Sequence, residues 1–178
     1  MIIGFDFDGT LVESWTATPL PGVRERLAEL PAGTRTFIAT NQAGPVWRQM
    51  TGETKYPTCE DVAQRIIAGL AALDWRPDAI FIATCAEKEP DYIWRIAAQE
   101  ATHRLYDLLE YVAYVEVSCI PTDRKPSPGM LLDARSFFDG ALIDCYVGDM
   151  PTDHQAAVAA GCRYLDAAVW RAQGIQES

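Results

Sequence analysis

The chain has 178 residues, enough for one well-buried domain and short for two. Hydrophobic residues make up 49% and charged residues 22%, which excludes a disordered or fibrous chain. A formal net charge of −10 disfavours nucleic acid and anionic membranes as partners, and no apolar run approaches the length of a membrane span. No basic-then-apolar leader is present. Cys59, Cys85, Cys119, Cys145 and Cys162 are scattered and odd in number, the pattern of reduced thiols in a cytoplasmic protein.

Residues 1–5 form a short apolar run that reads as a buried strand of a parallel sheet. Asp6 and Asp8 fall at its C-terminal end, where open α/β sheets bind their ligands. Two carboxylates so placed repel each other and call for a cation or a shared proton. Mg²⁺ suits them, since it takes hard oxygen ligands and leaves positions for phosphate.

Residues 13–18 read as a loop and 19–30 as a short helix, with Pro21 in its first turn and Val23, Leu27 and Leu30 as its apolar stripe. The β-branched and aromatic run 34–39 is a second strand, ending in Thr40-Asn41-Gln42-Ala43-Gly44. A hydroxyl and free N–H groups at such a strand tip can donate to a phosphoryl oxygen. The connection between the two strands has room for one helix and for no covering domain.

Residues 45–57 are a loop or short helix. Residues 58–75 are a helix opened by a Thr58/Asp61 capping pattern, with Val62, Ile66, Leu70 and Leu73 at helical spacing. A strand at 79–84, a helix at 90–110 and a strand or extended edge at 111–117 follow, with His103 on the helix surface. Next comes Asp123-Arg124-Lys125-Pro126-Ser127-Pro128-Gly129-Met130. Ser127 and Pro128 read as the cap and first turn of a helix, which puts the Lys125 ammonium near its start, with Arg124 as a second cation within reach of a substrate. Residues 142–147 form a strand running into Gly148-Asp149-Met150-Pro151-Thr152-Asp153, and a helix over 152–160 stops at Gly161. Residues 162–165 are a last short strand, and the remainder reads as a surface tail.

DFDGTLV, TNQAG, RKPSPGM and GDMPTD resemble, in the same order, the four motifs of the haloacid dehalogenase (HAD) superfamily. The resemblance spans residues 2–166 and is weakest over 85–118. It implies a nucleophilic Asp6, an acid/base Asp8, and phosphate binding by Thr40, Asn41, Lys125 and Arg124. It also implies Mg²⁺ held by the Asp6 carboxylate, the Asp8 backbone carbonyl, Asp149, and Asp153 as a further ligand or a neighbour of one. The forms TNQxG and RKPxPGM are similar to the branch containing histidinol-phosphate, heptose-bisphosphate and polynucleotide 3′-phosphatases. The zinc loop of many sugar-phosphate members is missing: the region offers only Cys85, His103 and Cys119, widely spaced.

The expectation is therefore one domain over 1–178 with a Rossmann-like α/β fold, a mainly parallel sheet with helices on both faces, no cap domain, and a helical insertion at about 85–118. Its expected activity is Mg²⁺-dependent hydrolysis of a small phosphate ester, of a sugar, polyol or amino alcohol, through an aspartyl-phosphate. A polynucleotide 3′-phosphatase is the alternative enzyme and a phosphate-binding module the non-catalytic one. A second copy of the chain is a candidate partner to close an uncapped site.

Overall fold

In the computed structural model, residues 1–85 and 92–175 are described. Six strands form one sheet in the order β4-β3-β2-β1-β5-β6, and every neighbouring pair is parallel. They are β1 (Ile2–Phe5), β2 (Arg35–Asn41), β3 (Ala79–Ala83), β4 (Tyr114–Ser118), β5 (Cys145–Gly148) and β6 (Arg163–Asp166). The chain steps outward from β1 to β4 and then returns to lay β5 on the other side of β1. The crevice beyond the C-terminal end of β1 is the point where strand order reverses, which is where such sheets bind ligands.

Side-chain alternation along the strands divides the interior into two layers. Ile3, Phe5, Ile38, Ile80, Ile82 and Val147 face α1 (Val23–Ala28), α3 (Cys59–Leu73), α4 (Tyr92–Leu109) and α7 (Ala167–Gln173). Ile2, Phe37, Ala39, Phe81 and Tyr146 face α5 (Gly129–Phe137) and α6 (Pro151–Ala160). The expected Rossmann-like α/β architecture with helices on both faces is present, and its sheet is parallel throughout. A small satellite cluster joins Val46 of α2 (Gly44–Thr51) to Ala97, Ala98 and Ala101 of α4.

Helix α3 begins as its sequence dictates: Thr58 Oγ1 accepts the Asp61 N–H at 3.0 Å and Asp61 Oδ2 accepts the Thr58 N–H at 2.8 Å. Between β1 and β2 the helix is shorter than 19–30. Leu20 donates to the Leu11 carbonyl and Pro19 bridges to Val12, so residues 19–22 belong to the turn and the helix starts at Val23. No other regular element lies between β1 and β2, so a cap domain is absent there.

The helix expected over 90–110 is α4; its first two positions lie outside the described residues. It packs on α3 and β4 and forms the crossover that joins β3 to the edge strand β4. The expected surface tail is instead α7. Asp166 caps it through the Ala168 and Val169 N–H groups, and Trp170 is fully buried against Phe5, with ring centroids 5.0 Å apart. A lone tryptophan in a short Ala/Gln-rich stretch gives no periodicity by which to recognise such a helix. All five cysteines are free thiols, and no helix among the described residues is long and apolar enough to cross a membrane.

Candidate active site

Asp6 follows β1 directly, and its N–H donates to the Val147 carbonyl at 2.9 Å. That bond continues the β1–β5 ladder and brings Asp6 beside the end of β5, from which Asp149 emerges after Gly148. Carboxylate oxygens of Asp6, Asp149 and Asp153 lie within 4.8 Å of one another. The turn after Asp8 must pass close to Asp149. Gly9 holds φ at +78°, and a Cβ there would collide with Asp149 Oδ2, so glycine is needed both for the backbone and for the space.

Lys125 brings the cation. Its side chain is 3% exposed, and Nζ donates to Asp6 Oδ1 at 2.6 Å, to the Ala39 carbonyl at 2.9 Å and to the Tyr146 hydroxyl at 3.0 Å. It also forms an ion pair with Asp153 Oδ1 at 2.6 Å. The Tyr146 hydroxyl passes its own proton to the Ala39 carbonyl at 2.8 Å. The sequence places Lys125 at a helix start, whereas α5 begins at Gly129 after Pro128, so Ser127 is not the cap. Lys125 instead sits in the preceding loop, and Asn41 fixes that loop. Asn41 Oδ1 accepts the Lys125 N–H at 3.1 Å and Nδ2 donates to the Lys125 carbonyl at 3.0 Å.

The resemblance implies phosphate binding by Asn41, but its side chain is committed to the Lys125 main chain, since an amide matches both groups of a peptide at once. Thr40, buried at the end of β2, accepts a hydrogen bond from Gln42 Nε2 at 3.0 Å and keeps its own proton to donate. Arg124 reaches away from β1: Nη1 donates to the Cys85 carbonyl at 3.2 Å, beyond the end of β3. Asp153 is 1% exposed, and Oδ2 accepts the Met150 N–H at 3.0 Å, so this carboxylate both ties down the first turn of α6 and faces the ammonium. The Asp8 carboxylate stands outside the acidic trio. It pairs with Arg65 of α3, and its Oδ2 accepts from Gln42 Nε2 at 2.8 Å.

The electrostatics follow from burial and crowding. Burial pushes the Asp6 carboxyl up to about 7; Lys125 pulls it down, and Asp153 and Asp149 push it further up. Burial and Asp153 likewise raise Asp149. Burial alone would depress the Lys125 ammonium, but Asp6, Tyr146 and Asp153 outweigh it and hold the group well above its ordinary range. Three acids share one ammonium, an excess of negative charge made of hard oxygen donors. A small divalent cation fits that donor set, and thiolate or imidazole groups take no part in it.

Arg65, Gln42, Tyr146 and Arg171 adjoin these side chains, and none of the four stands out as a site residue in the sequence. Arg171 of α7 donates to the carbonyls of Gly9 and Thr10, both at 3.2 Å, and so holds the turn that carries Asp8. Only Gln42 lay within a motif.

No family model matches the chain, and no curated protein matches it. Among solved structures, it is similar to a glycerol phosphate phosphatase from Mycobacterium tuberculosis crystallised in complex with magnesium. The two are 16% identical, with a TM-score of 0.43, over 93% of this chain and 67% of the other. At that level the similarity carries no argument about activity, and the functional reading rests on the geometry of the site.

Proposed function

We propose that this chain is a Mg²⁺-dependent phosphomonoester hydrolase that works through a phosphorylated Asp6. The observation that carries the reading is the buried Lys125 ammonium bonded to Asp6, with Asp149 and Asp153 alongside at the end of β1. A carboxylate attacking a phosphate dianion must overcome repulsion between like charges, and an adjacent ammonium and a divalent cation reduce it. Asp6 and Asp149, with Asp153 beside them and the Asp8 carbonyl, would hold Mg²⁺. When bound, the metal supplies charge neutralisation and a template for the phosphoryl oxygens.

In the first step an Asp6 oxygen forms a bond to phosphorus as the bond to the ester oxygen breaks, and Asp8 gives that oxygen its proton. In the second step Asp8 takes a proton from water as the water oxygen bonds to phosphorus. The Asp6–phosphorus bond breaks, which releases inorganic phosphate and restores the carboxylate. Thr40 donates its hydroxyl proton to the transferring group, and Lys125 stabilises its charge.

An acid at position 8 supports ester hydrolysis over dehalogenation, because an alkoxide needs a proton and a halide does not. The net charge of −10 favours a small phosphorylated sugar, polyol or amino alcohol over a polynucleotide 3′-phosphate. The test is phosphate release from a panel of sugar, polyol, amino-alcohol and oligonucleotide 3′-phosphates, with Mg²⁺ and with chelator. Turnover that needs Mg²⁺ and disappears in Asp6→Asn is expected. Turnover that survives chelator or Asp6→Asn would contradict the reading.

A further inference from the structure

Helix α3 passes closely over the segment that follows β1, against Phe7 and Val12. A Cβ on Gly69 would lie 2.8 Å from Phe7 Cζ, so only a residue without one lets the helix pack there. One turn earlier on the same face, Arg65 lies with its guanidinium carbon 5.6 Å from the Phe7 ring centroid. From there its two terminal nitrogens divide. Nη1 pairs with Asp8 Oδ1, and Nη2 donates to Gln42 Oε1 at 3.0 Å. Gln42 in turn donates to Asp8 Oδ2 at 2.8 Å and to Thr40 Oγ1. The Trp15 N–H approaches Asp8 Oδ1 at 3.4 Å.

Each Asp8 oxygen is therefore held by a different side chain, and the two holders are bonded to each other. A carboxylate oxygen offers about two acceptor sites, so Oδ2, with Gln42 as its one partner among the described residues, keeps a site for a proton in transfer. Arginine suits this place because its planar fork can grip two acceptors in fixed directions, which a lysine ammonium cannot.

We propose that Arg65, acting with Gln42, is the positioning residue for Asp8: it fixes the carboxylate's rotamer so that Oδ2 faces the ester oxygen that must be protonated. The proposal rests on the phosphatase reading and deepens it. Its consequence depends on the leaving group. An alkoxide cannot depart without the Asp8 proton, whereas p-nitrophenolate departs as an anion at neutral pH. Loss of Arg65 should therefore damage the first step for an alkyl phosphate far more than for an aryl phosphate. A fault in the overall scaffold would damage both alike.

The experiment follows product release in the first turnover, with Mg²⁺, for an alkyl phosphate accepted by the wild type and for p-nitrophenyl phosphate. Wild type, Arg65→Met and Arg65→Lys are compared, and thermal melts confirm folding. The expected result for Arg65→Met is a fall of about 100-fold with the alkyl ester and of about threefold or less with the aryl ester. Arg65→Lys, which keeps the charge without the fork, should show the same selectivity at smaller size. If Arg65→Met does not fold, the Lys variant carries the comparison. Equal losses with both esters, or no loss with either, would overturn the positioning role and leave the phosphatase reading intact. A wild type that accepts no alkyl phosphate of the panel and does not cleave p-nitrophenyl phosphate would overturn both.

Discussion

Lys125 and Asp6 stand 119 positions apart in the chain and meet as a buried pair, Nζ to Oδ1, at 2.6 Å. Three parallel crossover connections, β1 to β2, β2 to β3 and β3 to β4, lie between them, and Asn41 completes the approach by gripping both backbone groups of Lys125. The same ammonium faces Asp153, so removing it leaves two carboxylates in a dry site with no counter-charge.

Lys125→Met should therefore be destabilising by about 3 kcal/mol in the absence of metal, because an uncompensated buried charge is the costly half of a broken pair. For a chain of this size that corresponds to a fall in Tm of about 6–12 °C. Differential scanning calorimetry in chelator checks it. An unchanged Tm would mean that Asp6 and Asp153 find other partners.

Asp149→Asn should move stability the other way. Burial and the neighbouring Asp153 raise the Asp149 carboxyl, so its ionised form is disfavoured in the folded chain. That penalty is absent below the ordinary carboxyl range and sets in as pH rises through the raised value. In chelator at pH 8 the variant should gain about 1 kcal/mol or less, discounted because Asp149 is exposed, and the gain should vanish near about pH 3. The rise in Tm that Mg²⁺ gives the wild type should be lost. Melts at both pH values, with and without Mg²⁺, check both parts.

Trp170→Ala should cost about 3–5 kcal/mol, the usual loss for a buried large aromatic. Trp170 is fully buried against Phe5, directly beneath the strand that delivers Asp6. Its helix also carries Arg171, which binds the Gly9 and Thr10 carbonyls. Chemical denaturation should show the loss, and a change below about 1 kcal/mol would mean that α7 is the surface tail its sequence suggests.

The strands, the burial of β1 and the acids at its tip are legible because each depends on local pattern, whereas the order of the strands is not. Short apolar runs mark the strands, and Asp-rich turns mark their ends. Residues 19–22 misled because Pro21 suits a helix start, while the pairing of Pro19 with Val12 that holds them in a turn is invisible locally. Lys125 is legible as a charge but not in its place: it lies in the loop before α5, held by the Asn41 clamp, a contact invisible in the local sequence. Arg65 gave no signal. Its meaning depends on the close passage of α3 over Phe7 at Gly69, and an arginine on a helix otherwise reads as a solvated charge. Tyr146 was hidden for a related reason: in a buried strand a tyrosine reads as core, and only its hydroxyl's place between Lys125 and the Ala39 carbonyl shows its second task.

The most direct measurement is the identity of the phosphorylated atom. Protein mixed with Mg²⁺ and an excess of p-nitrophenyl phosphate is quenched within a turnover, reduced with borohydride and digested, so that an acyl phosphate is recorded as a reduced side chain in the peptide. Reduction confined to Asp6, dependent on Mg²⁺ and absent in Asp6→Asn, is the predicted result. Phosphate release with no reduced residue at position 6, or with the mark on another side chain, would contradict a mechanism through Asp6.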